Sequence, residues 1–286
     1  TEDTTKMRAL SRIVAYMNSE YWVEYQAIFH QKTQEAIARN SDERTAEVLF
    51  SLLSVSYNNM GYICRSKGQI EKAIEYYQNS RKIAEKMDLK DELASSYNNI
   101  AMVYEIQKNY TKAVEYYELS TAIWRVSSDS SRGLSYAYNN IGAIYKQIGN
   151  LDSAMFYYDK ALTKSVESVN TNNLGIVYSN IGSVYEAKGE LDSALLYYEE
   201  SLKIHSDIGA SAGISSNLNV IGRIYFKQGK YQKAQVNLEK SLELGQKISS
   251  IDHVLNGAKM LSVIYEKNER YKDALAMHQL YFKMED

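Results

Sequence analysis

Apolar positions along this chain fall into short amphipathic stripes separated by breaks of a few polar residues, and the alternation repeats. Tyr57, Met60, Gly61 and Cys64 follow the i, i+3, i+4, i+7 spacing that gathers side chains on one face of an α-helix. Gly68 and Gln69 interrupt the pattern, and Ile70, Ala73, Ile74 and Tyr77 begin a second stripe. So short a break makes the two helices antiparallel neighbours, helix A followed by helix B. The block YNNMGYICRSKGQIEKAIEYYQNS recurs from Tyr97, Tyr138 and Tyr178, and more weakly from Leu218 and Ala258. Its small residue falls at Gly61, Ala101, Gly142, Gly182, Gly222 and Ser262, in steps of 40, 41, 40, 40 and 40 residues, a register that chance does not keep. Gly149, Gly189 and Gly229 stand at the A–B break of later blocks, where a residue free to take positive φ closes helix A.

These blocks resemble the tetratricopeptide repeat (TPR) family. Its pattern of a bulky residue, an aliphatic-small pair, a tyrosine, then an alanine and an aromatic on the second helix is matched by Tyr138, Ile141, Gly142, Tyr145, Ala154 and Tyr158. The resemblance covers residues 42–286 as six repeats and implies an all-α fold, a right-handed superhelical solenoid of antiparallel hairpins. Two features depart from the family pattern. No proline ends any helix, and the period is 40 where the common unit has about 34. The extra residues lie between helix B and the next helix A, enough to lengthen each helix by nearly one turn. In this the chain is similar to a long-repeat subgroup found in peptide-binding scaffolds and in the TPR sensor portions of bacterial signalling receptors. Residues 1–41 are out of register. Leu10, Ile13, Val14 and Met17 form one stripe, Asn18–Ser19 a break, and Tyr21, Tyr25, Ile28 and Phe29 start another, which predicts a divergent N-terminal hairpin. Terminal units of a solenoid depart from the consensus because one face meets water.

The small residues, and Ala73, Ala113, Ala154, Ala194, Ala234 and Ala274 on helix B, are expected to let paired helices approach closely. In the pairs Tyr76–Tyr77, Tyr116–Tyr117, Tyr157–Tyr158 and Tyr197–Tyr198, the second member is expected in the core and the first half-buried with its hydroxyl in water. Asn59, Asn99, Asn140 and Asn180 sit about 200° around the helix from the packed stripe, on a residue type that is a mediocre helix former. A side-chain amide offers both a donor and an acceptor, which suits an extended peptide backbone. The family resemblance implies that this face lines a concave groove where asparagine grips a bound segment. The alternative is a solvated amide or a bond to the next repeat. Asn99, Asn140 and Asn180 are the expected centre of the surface. Tyr62, Met102, Ala143, Ser183 and Arg223 project beside them as specificity positions, and Asn58, Asn98, Asn139 and Asn219 flank them. Arg65, Glu105, Lys146 and Glu186 alternate in sign and read as ion pairing between repeats, worth about 0–1 kcal/mol per exposed pair.

Composition narrows the function. Thirty-three basic against 35 acidic residues leave a formal charge of −2, so no nucleic-acid partner is expected. Cys64 stands alone, and His30, His205, His253 and His278 occupy unrelated repeat positions, so neither a disulfide framework nor a metal site nor a cofactor is expected. No Gly-rich phosphate loop is present, and Asp152–Ser153 and Asp192–Ser193 read as helix-start chemistry. No apolar run reaches the ~20 residues of a membrane span. The reading is a non-enzymatic scaffold that holds a protein or peptide segment in its groove. The alternatives are the ligand-sensing portion of a larger bacterial receptor, or an assembly scaffold held through its convex face. The chain opens on Thr1 and stops at Asp286 soon after a helix B with no polar capping helix. The expectation is therefore a native chain that continues into a membrane-anchored output domain, with the periplasm favoured over the cytoplasm.

Overall fold

A computed structural model describes residues 2–15, 19–39, 42–127 and 131–285. They form fourteen helices, and no strand occurs among the described residues: α1 (Glu2–Ala15), α2 (Ser19–Arg39), α3 (Glu43–Ser66), α4 (Ile70–Lys86), α5 (Lys90–Ile106), α6 (Tyr110–Trp124), α7 (Ser131–Gln147), α8 (Leu151–Glu167), α9 (Thr171–Ala187), α10 (Leu191–Asp207), α11 (Ser211–Lys227), α12 (Tyr231–Lys247), α13 (Ile251–Lys267) and α14 (Tyr271–Glu285). Most are 17 residues long. Two such helices with two three-residue links make the 40-residue period, so the extra residues do lengthen both helices.

The links explain how helices end without proline. Gly68, Gly149, Gly189 and Gly229 take positive φ, and the next residue's N–H returns to the last turn of helix A, as in Asn150 N to Tyr145 O at 2.9 Å. Lys108 and Glu269 adopt the same left-handed conformation without glycine, at φ 58° and 59°, a strain of about 1–2 kcal/mol each.

The chain divides into two compact units, Thr1–Ile144 and Tyr145–Asp286. In the first, α3 packs on α4 and α5 on α6, α4 lies against α5, and α1 touches both α2 and α3. In the second, α9 pairs with α10, α11 with α12 and α13 with α14, each hairpin stacking on the next. Ala73, Ala113, Ala154, Ala194 and Ala234 are fully buried, as are Tyr77, Tyr117 and Tyr158. A Cβ on Gly61 would fall 2.4 Å from Tyr77 Cε1, and one on Gly222 2.7 Å from Leu238 Cγ. These are the close approaches expected of the small residues. The first tyrosine of each pair is half-buried, and three of them stack on a helix A tyrosine: Tyr104 on Tyr116, Tyr145 on Tyr157 and Tyr185 on Tyr197.

A serine clip recurs beside this core. Ser80, Ser120, Ser201 and Ser241 donate to the carbonyls of Ser54, Ala94, Gly175 and Ser215 at 2.7–2.9 Å, tying helix B to the preceding helix A. Each neutral bond is worth about 0.5–1.5 kcal/mol. The N-terminal hairpin differs from its expected stripe. In α2 the buried residues are Gln26, Phe29, Thr33 and Ala36, while Tyr21, Tyr25 and Ile28 are exposed. The seam there is small and polar: Thr33 donates to Phe29 O, and Gln26 accepts from Asn59 of α3. The side chains of Ile13 and Val14, and Met17 and Asn18 altogether, lie outside the described residues.

Candidate functional site

In the first unit, helices α3, α5 and α7 line two adjoining cavities. The smaller, about 460 Å³, takes Val55, Asn58 and Asn59 from α3 and Asp91, Glu92, Ser95, Asn98 and Asn99 from α5. The larger, about 540 Å³, takes Asp91, Ser95, Asn98 and Met102 from α5 and Arg132, Gly133, Tyr136 and Asn140 from α7. Asp91, Ser95, Asn98 and Met102 fall at i, i+4, i+7 and i+11, one face of a helix. Trp124, the last residue of α6, lines both cavities and is 8% exposed. It fits because α7 offers Gly133, where a Cβ would stand 2.5 Å from Trp124 Cε2.

The asparagines divide by what they already bond. Asn99 Nδ2 donates to Asn58 Oδ1 at 3.1 Å, and Asn59 Nδ2 donates to Gln26 Oε1 at 3.2 Å. These bonds link neighbouring repeats and fix both amides, yet no described residue donates to Asn59 Oδ1 or Asn99 Oδ1. Asn58 is engaged at both ends, its Nδ2 donating to Ser96 Oγ at 3.3 Å, and so works as a clip between α3 and α5. Asn98 Nδ2 lies 3.9 Å from Met102 Sδ, and its buried Oδ1 has no donor. Asn140 stands near the Tyr117 hydroxyl, which donates to Glu105 Oε2 at 3.1 Å. Burial raises the Glu105 pKa, partly offset by that hydroxyl and by Arg65. Asn139 and Asn219 are 8% and 6% exposed and face the interior, where Asn219 Nδ2 reaches His253 O at 3.5 Å.

The remaining expected site residues are dispersed. Tyr62 is exposed on the outer part of α3, edge-on to Trp22 with Arg65 over its ring, and lines neither cavity. Met102 lines the larger cavity and receives Arg65 Nη1 at 3.5 Å. In the second unit Ser183 donates to Asn180 O and accepts from Lys146 Nζ at 2.9 Å, and Arg223 pairs with Glu186 at 3.0 Å. Glu186 also holds Lys227, so it pairs between repeats with Arg223 and Lys227, while no ion pair joins Arg65, Glu105, Lys146 and Glu186 to one another among the described residues. Burial lowers the Lys146 pKa, with Glu186 opposing.

Asn180 lines a separate cavity of the second unit, about 470 Å³, with Asn172, Ile176 and Ser179 of α9, Ser211, Ser216 and Asn217 of α11, and His205. His205 is buried, its Nδ1 3.3 Å from Ser201 Oγ and 3.2 Å from Asn217 Nδ2. Burial lowers its pKa, as it does those of His30 and His253. Among the described residues no group of three or more His, Cys, Asp or Glu could hold a metal ion, and no helix is long and apolar enough to cross a membrane.

Trp124, Asp91, Glu92, Ser95, Arg132 and Tyr136 were not singled out from sequence. Their signal was present in the α5 spacing, and at Arg132, Tyr136 and Asn140, every fourth residue of α7.

Within each unit, stacked hairpins with polar cavities against their A helices define a helical-repeat fold. The tetratricopeptide repeat model matches residues 51–125, 92–165, 137–207 and 213–284, and the chain belongs to that family. No curated protein matches its sequence. Its fold is similar to that of the apo quorum sensor NprR from B. thuringiensis, at 17% identity and TM-score 0.69 over 99% of this chain and 76% of that one. The Rap conjugation gene regulator of the plasmid pLS20, in complex with the Phr peptide, aligns at 15% identity and TM-score 0.60 over 99% and 96%. A signal transduction ATPase with numerous domains and a tetratricopeptide repeat sensor, from Pyrococcus horikoshii, aligns at 16% identity and TM-score 0.71 over 96% of this chain and 44% of that one.

Proposed function

We propose that the groove of the first unit holds an extended peptide or protein segment, without catalysis. The observation that carries this reading is the convergence of Asn59, Asn98, Asn99 and Asn140 on adjoining cavities with Trp124, with amide groups there lacking protein partners. Amide donors and acceptors would take the backbone N–H and C=O of the segment, and Trp124 and Met102 its apolar side chains. The quorum sensor and the peptide-bound regulator of like fold lend support. Calorimetric titration with peptides selected on the chain tests it. Replacing Asn99 and Asn140 together by alanine should weaken binding about five- to a hundredfold, since each neutral bond is worth roughly 0.5–1.5 kcal/mol. Thermal unfolding of the same variant should register no more than the loss of the Asn99–Asn58 bond, about 0.5–1.5 kcal/mol. Unchanged affinity with lost stability would mean that the asparagines serve only to join repeats.

A second reading takes the same groove as the input site of a larger signalling chain. It is favoured by the sensor-bearing ATPase, of which this chain matches less than half. A membrane-anchored output domain and a periplasmic location belong to this reading. A full-length reading frame with neither a leader nor an output domain would remove it.

A further inference from the structure

We infer that the first unit's groove selects a segment that sets a lysine or arginine side chain against Asp91 and Glu92 and a neighbouring apolar side chain on Trp124. The inference rests on the peptide-binding reading above and adds the chemistry of the ligand.

Two carboxylates stand in the groove with hydroxyl partners alone. Asp91 Oδ1 accepts from Ser127 Oγ at 3.0 Å, and Glu92 accepts from Ser51 Oγ. These bonds hold the carboxylates in place, and no described lysine or arginine pairs with either. Each retains lone pairs for a cation. The first turn of a helix favours acidic residues for its own sake, so the charge alone would not name a ligand.

An independent observation does so. Trp124 is more than nine-tenths buried and lines both cavities, and no described residue accepts a hydrogen bond from its indole N–H. Asn98, which also lines both, keeps a buried carbonyl oxygen without a donor. An indole N–H and an amide carbonyl oxygen without protein partners in one groove match the C=O and N–H of an extended backbone, and leaving the buried carbonyl unpaired is costly.

Arg132 sets the direction. It lines only the larger cavity, from α7, and no described carboxylate pairs with it. Its charge disfavours a cation at that end, so the cationic residue lies toward α3 and the apolar one over Trp124. The cavity of the second unit that Asn180 lines has no carboxylate in its lining, so the preference does not extend to the equivalent asparagine there.

The test is selection of a random peptide display library on the whole chain, followed by titration of a selected synthetic peptide. Lysine or arginine next to an aliphatic or aromatic residue should be enriched. Changing that cation to norleucine should weaken binding to the unaltered protein about tenfold or more, given the strength of charge-assisted hydrogen bonds. The Asp91→Asn, Glu92→Gln double variant should lose the same factor for the cationic peptide and bind the norleucine peptide as before. Trp124 and Trp22 are the two tryptophans of the chain, so in a Trp22→Phe background the emission should shift on binding. If the double variant folds poorly, the peptide-side substitution still decides. Selected peptides that depend on Asn99 and Asn140 but show no preference for a cation, or prefer an acid, would overturn this inference and leave the peptide-binding reading intact. Failure of any peptide to depend on those asparagines would overturn both.

Discussion

Trp124 in the first unit and His205 in the second occupy one position of the repeat, eleven residues after the buried helix B alanines Ala113 and Ala194. Each meets a glycine of the next helix A: a Cβ on Gly133 would lie 2.5 Å from Trp124, and one on Gly213 2.5 Å from His205. The neighbouring repeats divide the same space differently. Ser165 accepts from Asn173 Nδ2 at 3.0 Å, and Gly245 faces His253, a Cβ on that glycine falling 3.1 Å from the histidine's own. The comparison teaches that this joint is filled by pairs that match in combined size, with the large member free to come from either helix. Close packing demands the match, while the identity of the pair sets what lies under the A helices. A tryptophan with two carboxylates that no described cation pairs makes the first groove acidic and aromatic. A buried imidazole among asparagines and serines makes the second neutral.

The largest effect should come from emptying the joint of the first unit. Trp124→Ala should cost about 3–5 kcal/mol of stability, by analogy with other aromatic truncations in cores, and should abolish the fluorescence response to peptide. A drop in melting temperature no greater than that of a surface substitution would show that Trp124 is not packed as described.

Overfilling is the complementary break. Gly133→Val should cost about 1–3 kcal/mol, and combining it with Trp124→Ala should cost less than the sum, because the two share one space. Strict additivity in denaturant unfolding would contradict the size-matched pair. Gly182→Leu should cost a similar ~1–3 kcal/mol through contact with Ala194 O and Tyr198. Lys188→Leu, on a side chain whose ion pair with Asp152 is exposed, should change stability by no more than about 0.5 kcal/mol.

The smallest effect is one of pH and belongs to the imidazoles. Burial holds the folded-state pKa of His205, His253 and His30 below the ordinary value of 6.5. Below pH 6.5 the unfolded chain therefore binds protons that the folded chain refuses, and stability falls with pH until the folded-state pKa is passed. Above 6.5 both states are neutral at these residues and the contribution is fully present. Melting temperature measured from neutral to acidic pH should decline more gently in His205→Gln than in the unaltered protein. Parallel curves would remove His205 from this account.

Much of the scaffold was legible because it rests on periodicity. Gly61 and Ala73 recur at the step of the repeat and pack where a helical wheel places them. In α2 the same reasoning failed, since the buried face is built from Gln26 and Thr33 while Tyr21 and Tyr25 lie outside. A hydrophobic stripe cannot reveal a polar seam. The asparagines were legible as a recurring set, but their division into clips, buried residues and groove amides was not, because Asn58 and Asn98 share one position of the repeat and differ in what their amides meet, Ser96 for one and Met102 for the other.

By itself the sequence determined the class of helix, the length of each unit and the close contacts between paired helices. These follow from the 3.6-residue turn and from side-chain size, which are properties of single positions. Tertiary structure alone decided the floor of the groove. Trp124 reaches it only because Gly133, nine residues on, leaves room, and Asp91 meets no cation only because of the residues that surround it. Such facts belong to pairs of residues in space, and a pattern read one position at a time does not contain them.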